Sequence, residues 1–134
     1  MTFRQGQPSR GDLIRVHVSF YDHYGIYESV TAVYAFGLPD NTGVAPEEIC
    51  VVCTPLAVFC AGGFVQVAQL TRAERKQARS ADRVIAAARA RLGETGYHIL
   101  YNNCEHFATS CLFGTPRSAL VEEARASIRK KLGH

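Results

Sequence analysis

The sequence predicts an α+β protein. Strand-like runs of β-branched and aromatic residues come first, and Ala/Arg-rich segments with helix caps come after Thr71. Strands followed by helices, rather than strands alternating with them, mark this class.

Taken in order, "GDLIRVHVSFYDHYGIYES" opens on a turn signal and reads as two strands joined around Phe20–Asp22, and "VTAVYAFG" as a third. "LPDNTGVAPEE", residues 38–48, is a loop by its Pro, Gly, Asn and Asp content; it is long for a strand connection, which suits a substrate-facing role. "ICVVC" is a short apolar strand. Thr54 is then expected to cap a short helix over "PLAVFCA", with Pro55 at its first position and Gly62-Gly63 stopping it. "FVQVAQL" alternates as another strand. "TRAE" at Thr71 matches a capping box, and the following segment to Leu92 predicts one broken helix or two, closed by Gly93. Tyr97–Tyr101 bridges to a helix from Cys104 to Phe113, capped by Asn103 and ended by Gly114. A last helix is expected over Ser118 to Leu132, with Leu120, Ala124, Ile128 and Leu132 on one stripe.

A chain of 134 residues suits one domain over residues 1–134. Its formal charge of +3 is concentrated in "RAERKQARSADR" and "RASIRKKLGH", which read as solvated helix faces. No nucleic acid is expected as a partner, since no aromatic-plus-basic platform accompanies the charge. The N-terminus lacks a signal core, and no window reaches the roughly 18 apolar residues that span a bilayer, so the expected location is cytoplasmic. A weak peripheral membrane contact through the basic C-terminal segment is the secondary expectation. Five cysteines, at positions 50, 53, 60, 104 and 111, are read as thiols in a reducing compartment.

"YNNCEHFATSC" carries the chemistry. A cysteine in the first turn of a helix sits where unpaired N–H groups and the helix dipole favour the thiolate. The same N–H groups could stabilise an oxyanion. His106 lies two positions from Cys104, about 200° around the helix, so it reads as a structural hydrogen-bonding group rather than the base. Among the other histidines, His134 is terminal, His17 alternates outward and His98 lies in the bridge. His23, on a strand, is a rigidly placed candidate for the base.

"GDLIRV", "YDHYGIY", "TPLAVFCAGG" and "YNNCEHFAT", in this order, resemble the lecithin:retinol acyltransferase family, in particular its small bacterial members, over roughly residues 11–115. The resemblance implies a permuted papain-like fold of the NlpC type: an antiparallel sheet or barrel packed against helices, with the nucleophile cysteine at a helix N-terminus. It implies that Cys104 attacks an acyl ester or amide, here read as a lipid ester, to form an acyl-cysteine thioester, and that His23 serves as base and then acid. Asn103, Glu105, His106 and Tyr24 are the expected oxyanion or supporting residues. No metal or organic cofactor is implied, and the partner is a lipid or other acyl ester, such as the phospholipids used by animal relatives.

One position departs from the family pattern. A second polar residue on the next strand commonly orients the imidazole, and Ala35 stands there; the adjacent Tyr34 could serve only if a bulge shifted the register. Losing the orienter in a related triad costs about four orders of magnitude in rate. Two alternatives stay open: a cysteine amidase or peptidase of the same superfamily, and a binding module that has lost the chemistry. A zinc site built on Cys50-x-x-Cys53 would need Cys104 and His106 as ligands, so Cys50, Cys53, Cys60 and Cys111 are read instead as core thiols.

Overall fold

The computed structural model describes residues 1–18, 21–39, 44–99 and 102–116. A six-stranded antiparallel sheet organises them, formed by β1 (Thr2–Gln5), β2 (Leu13–Val18), β3 (Tyr21–Ser29), β4 (Ala32–Phe36), β5 (Val51–Thr54) and β6 (Gln66–Gln69) in the spatial order β1-β6-β2-β3-β4-β5. The helices are α1 (Leu56–Cys60), α2 (Arg72–Gln77), α3 (Ala81–Ala90) and α4 (Cys104–Phe113). A 3-10 turn over Pro46–Glu48 lies in the loop after β4.

Side-chain alternation divides the core into two layers. Leu13, Tyr24, Ile26, Tyr34 and Phe36 point to one face and pack with α3 and α4 through Val84, Ile85, Phe107 and Cys111. Ile14, Val16, Val33 and Ala35 point to the other and pack with Phe59 of α1. Each fully buried phenylalanine contributes about 1.5–3 kcal/mol, so Phe36 and Phe107 on one face and Phe59 on the other are the main anchors. Gly25 lets α1 approach: a Cβ there would stand 2.7 Å from a Phe59 ring carbon and 2.9 Å from the Tyr34 carbonyl.

Three local expectations change. Thr54 ends β5 and does not cap α1; Pro55 takes the cap position with extended backbone and no side-chain cap bond, while the Leu56 N–H is satisfied by the Val30 carbonyl at 2.9 Å. Tyr21 and Asp22, expected in the turn around Phe20–Asp22, are strand residues that pair with Val18 and His17. The four thiols read as core residues are not alike: Cys111 is buried, Cys50 and Cys60 are half-buried, and Cys53 is exposed on β5 at the end of the sheet. The strand β1 has no counterpart in the sequence reading, since "TFRQ" is short and mostly polar and forms only by pairing with β6.

The segment after Thr71 is two helices. The Thr71–Glu74 capping box starts α2, the backbone turns extended at Ala78, and the Ser80 hydroxyl accepts from the Arg83 N–H to start α3. The helix expected over residues 118–132 lies outside the described residues. Among those residues, no helix is long and apolar enough to cross a membrane, and no group of three or more His, Cys, Asp or Glu is arranged to hold a metal ion.

Candidate active site

α4 begins at Cys104 because Asn103 caps it. The Asn103 Oδ1 accepts from the His106 N–H at 3.0 Å, and His106 Nδ1 accepts from the Asn103 N–H at 3.1 Å. This is a capping box with histidine in the place usually held by Glu or Gln. Asn103 Nδ2 also donates to the Ile99 carbonyl at 2.8 Å, tying the preceding link to the helix start. Asn103 and the buried His106 therefore fix where the nucleophile candidate stands.

Cys104 is 6% exposed and rests against the backbone of β3. Its Sγ lies 3.9 Å from the Asp22 carbonyl, and the backbone N–H groups of Tyr24, Glu105 and Cys104 itself point toward the sulfur. Asp22 and Tyr24 are the two neighbours of His23, so the thiol meets the backbone of the histidine strand beside His23, on the face opposite the one its ring takes. Burial pushes the thiol up to about 11; the Glu105 carboxylate adds to the rise, and the three backbone donors oppose it.

His23 is 1% exposed. Alternation sends Tyr24 to the α4 side and His23 toward α1, where its ring packs on Phe59 at a centroid distance of 5.1 Å and edge-on to Tyr21 at 6.3 Å. Burial lowers its pKa to about 4, and a backbone hydrogen bond to Gly37 raises it by less. Nε2 is buried and has no hydrogen-bond partner among the described residues. The resting site thus holds a neutral thiol and a neutral imidazole, with no hydrogen bond joining them.

The remaining candidates separate into distinct roles. Tyr24 offers its N–H to Cys104, while its phenol lies 3.5 Å from Arg15 Nη1; burial raises that phenol to about 12. Glu105 acts on the thiol by charge. Tyr34 is not brought to His23. It lies on the opposite face of the sheet, its phenol receiving the Arg89 Nε–H at 3.0 Å and donating to Glu28 at 3.3 Å. The bulge between β3 and β4 falls at Tyr27–Ser29, too far along the strand to turn Tyr34 around. Ala35 lies on the His23 side, in the cluster with Phe59. Gly37 and Phe59 were not singled out from the sequence: a backbone acceptor leaves no side-chain signature, and Phe59 reads there only as an apolar helix position.

The family model described as lecithin retinol acyltransferase matches residues 6–117. The chain belongs to the lecithin retinol acyltransferase family. Rat lecithin retinol acyltransferase is 30% identical over 141 aligned positions, covering 90% of this chain and 61% of the relative. The bovine protein of the same name is 32% identical over 134 positions, covering 85% and 58%. Human phospholipase A and acyltransferase 4 is 25% identical over 131 positions, covering 91% and 80%. The chain spans about three-fifths of the length of the rat and bovine relatives. Every residue of the site, from Tyr21 to His106, falls inside the stretch matched by the lecithin retinol acyltransferase model.

Proposed function

We propose that this chain is a thiol-dependent acyltransferase or hydrolase acting on a lipid ester, with Cys104 as nucleophile and His23 as acid and base, in a permuted papain-like arrangement where the strand histidine precedes the helix cysteine. The observation that carries the reading is the thiol at the start of α4, faced by the Tyr24 N–H from the strand that bears His23 and by the N–H groups of Cys104 and Glu105 at its own helix start. The names of the relatives, lecithin retinol acyltransferase and phospholipase A and acyltransferase 4, support the acyltransferase or hydrolase class.

The neutral pair calls for proton transfer during attack. The ring donates to the Gly37 carbonyl, which leaves Nε2 as the free lone pair. Sγ attacks the ester carbonyl as its proton passes by way of a water to the imidazole, whose ring lies across β3 in the resting structure, and the tetrahedral oxyanion is held by N–H groups at the start of α4. The C–O bond then breaks, the imidazolium returns its proton to the leaving alkoxide, and a thioester remains on Cys104. Water, an amine or an alcohol, deprotonated by His23, attacks the thioester; the acyl group leaves and the thiol is restored.

The test is intact-protein mass spectrometry after incubation with a short-chain phosphatidylcholine. An acyl adduct on Cys104 that hydroxylamine removes, absent in Cys104→Ala and strongly reduced in His23→Ala, is the expected result. Undiminished turnover by Cys104→Ala would sink the mechanism. A second reading, a binding module without catalysis, is favoured by the raised thiol and the unpartnered Nε2; saturable lipid binding with neither adduct nor turnover would select it.

A further inference from the structure

Next to Cys104, the β2 side of β3 carries a fixed cation. Arg15 pairs across the strands with Tyr24 on one side and Gln66 on the other, on the same sheet face as α4. Its Nε donates to Gln66 Oε1 at 2.7 Å, its guanidinium carbon lies 3.8 Å from the centroid of the Phe3 ring, and Nη1 lies 3.5 Å from the Tyr24 phenol. These contacts hold the side chain in place while leaving it 25% exposed. Its nearest carboxylate, Asp22, is 3.6 Å away and also bonds the His17 ring at 3.1 Å, so Arg15 is only loosely neutralised.

The segments that lead out of β4 and into α4 have a different character. Leu38, just past β4, is 42% exposed, Tyr21 is 41% exposed and Ile99 is 63% exposed. Tyr21 reaches the Pro39 carbonyl at 2.6 Å, and Ile99 is tied to the cap of α4. Arg15 thus shares the sheet face of Cys104, while the segments after β4 and before α4 carry exposed apolar side chains.

We propose that Arg15 anchors a singly charged phosphodiester on the leaving-group side of the substrate ester, and so fixes which way the substrate lies across Cys104. The inference rests on the lipid-ester reading above and adds the residue that orients the lipid. The choice of a phosphodiester follows from the neighbours: Asp22 and Glu105 flank the site, so a dianionic phosphate is repelled more than a monoanion. The apolar rim then receives the acyl chain, and the headgroup lies over Arg15.

The experiment compares Arg15→Gln and Arg15→Lys with the wild type on two esters of one acyl chain, a short-chain phosphatidylcholine and an uncharged p-nitrophenyl ester, with inorganic phosphate as competitor. Losing a charge-assisted contact should raise KM for the phosphatidylcholine about ten-fold or more, with kcat little changed. The uncharged ester should be handled as before, Arg15→Lys should recover part of the loss, and inorganic phosphate should compete weakly. Equal losses on both esters would reduce Arg15 to a structural role and overturn the inference, as would strong competition by inorganic phosphate, which would identify a general anion site. If the wild type turns over neither ester, the functional reading fails, and glycerophosphocholine binding followed by NMR decides the inference alone: saturable shifts lost in Arg15→Gln support it, and their absence in the wild type refutes it.

Discussion

Alkylating agents react with thiolates, so the pH dependence of Cys104 alkylation reports its ionisation. The sulfur is buried against β3, and its pKa rises from 9.0 to about 11. That rise leaves about a hundred-fold less thiolate at neutral pH than an unperturbed cysteine would have. Two other thiols supply internal references: Cys53 is exposed, and Cys111 is buried with its pKa pushed up to about 11. Pulse labelling with iodoacetamide from pH 6 to 10.5, followed by peptide mass spectrometry, separates the sites. Cys104 should label slowly at pH 7.5, about a hundred-fold or more below Cys53, and its rate should keep climbing through pH 9 with no inflection below 8. Glu105→Gln should move the curve down, by less than burial moves it up, because the carboxylate is the smaller of the two raising causes. An inflection below 8 that disappears in His23→Ala would refute the reasoning, since it would require a thiolate–imidazolium pair that the buried, neutral ring does not form.

Further outcomes follow from the same geometry. His23 has a folded pKa of about 4 against 6.5 unfolded, so the unfolded chain binds the extra proton between these values. Stability should be full above about pH 6.5 and fall by about 3 kcal/mol as pH drops to 4, and the difference from His23→Leu in denaturant titrations across that range isolates the contribution. Asn103→Ala removes the cap of α4 and should cost about 1–2 kcal/mol in urea unfolding; an unchanged midpoint would mean that the helix start is set by other contacts. Gly25→Ala places a methyl group against Phe59 and the Tyr34 carbonyl and should cost about 1–3 kcal/mol by thermal unfolding, whereas a neutral result would show that α1 can withdraw from the sheet freely.

Much of this arrangement is legible in the sequence where local chemistry decides it. The Asn103 cap, the Gly114 stop and the Thr71–Glu74 box are local signals, and the helices begin and end there. β1 is invisible because its pairing with β6 joins segments more than sixty residues apart. The state of Cys104 differs from what its helix position predicts, for a reason of magnitude. A helix N-terminus favours an anion by about 0.3–2 kcal/mol, whereas full burial can shift a pKa by up to about 3–5 units. Sequence position reveals the first effect and not the second, and the second prevails at this thiol.

Ala35 shows the same limit from another direction. A methyl group cannot orient an imidazole, and from the sequence its presence argues for a degraded site. The structure places the Gly37 backbone against the ring instead. A carbonyl differs from an orienting side chain in two ways that matter: it does not titrate, and its position is fixed by the end of β4. It raises the pKa of His23 by less than burial lowers it, so the ring stays neutral and keeps an accepting nitrogen. A neutral ring suits a base that takes its proton during attack. It does not suit a resting ion pair, which would need a carboxylate or a second imidazole to stabilise the charged ring. Substituting a backbone acceptor for a side chain at this site therefore favours transfer in the transition state over a preformed thiolate, and the slow, late-rising alkylation expected of Cys104 is compatible with the proposed catalysis.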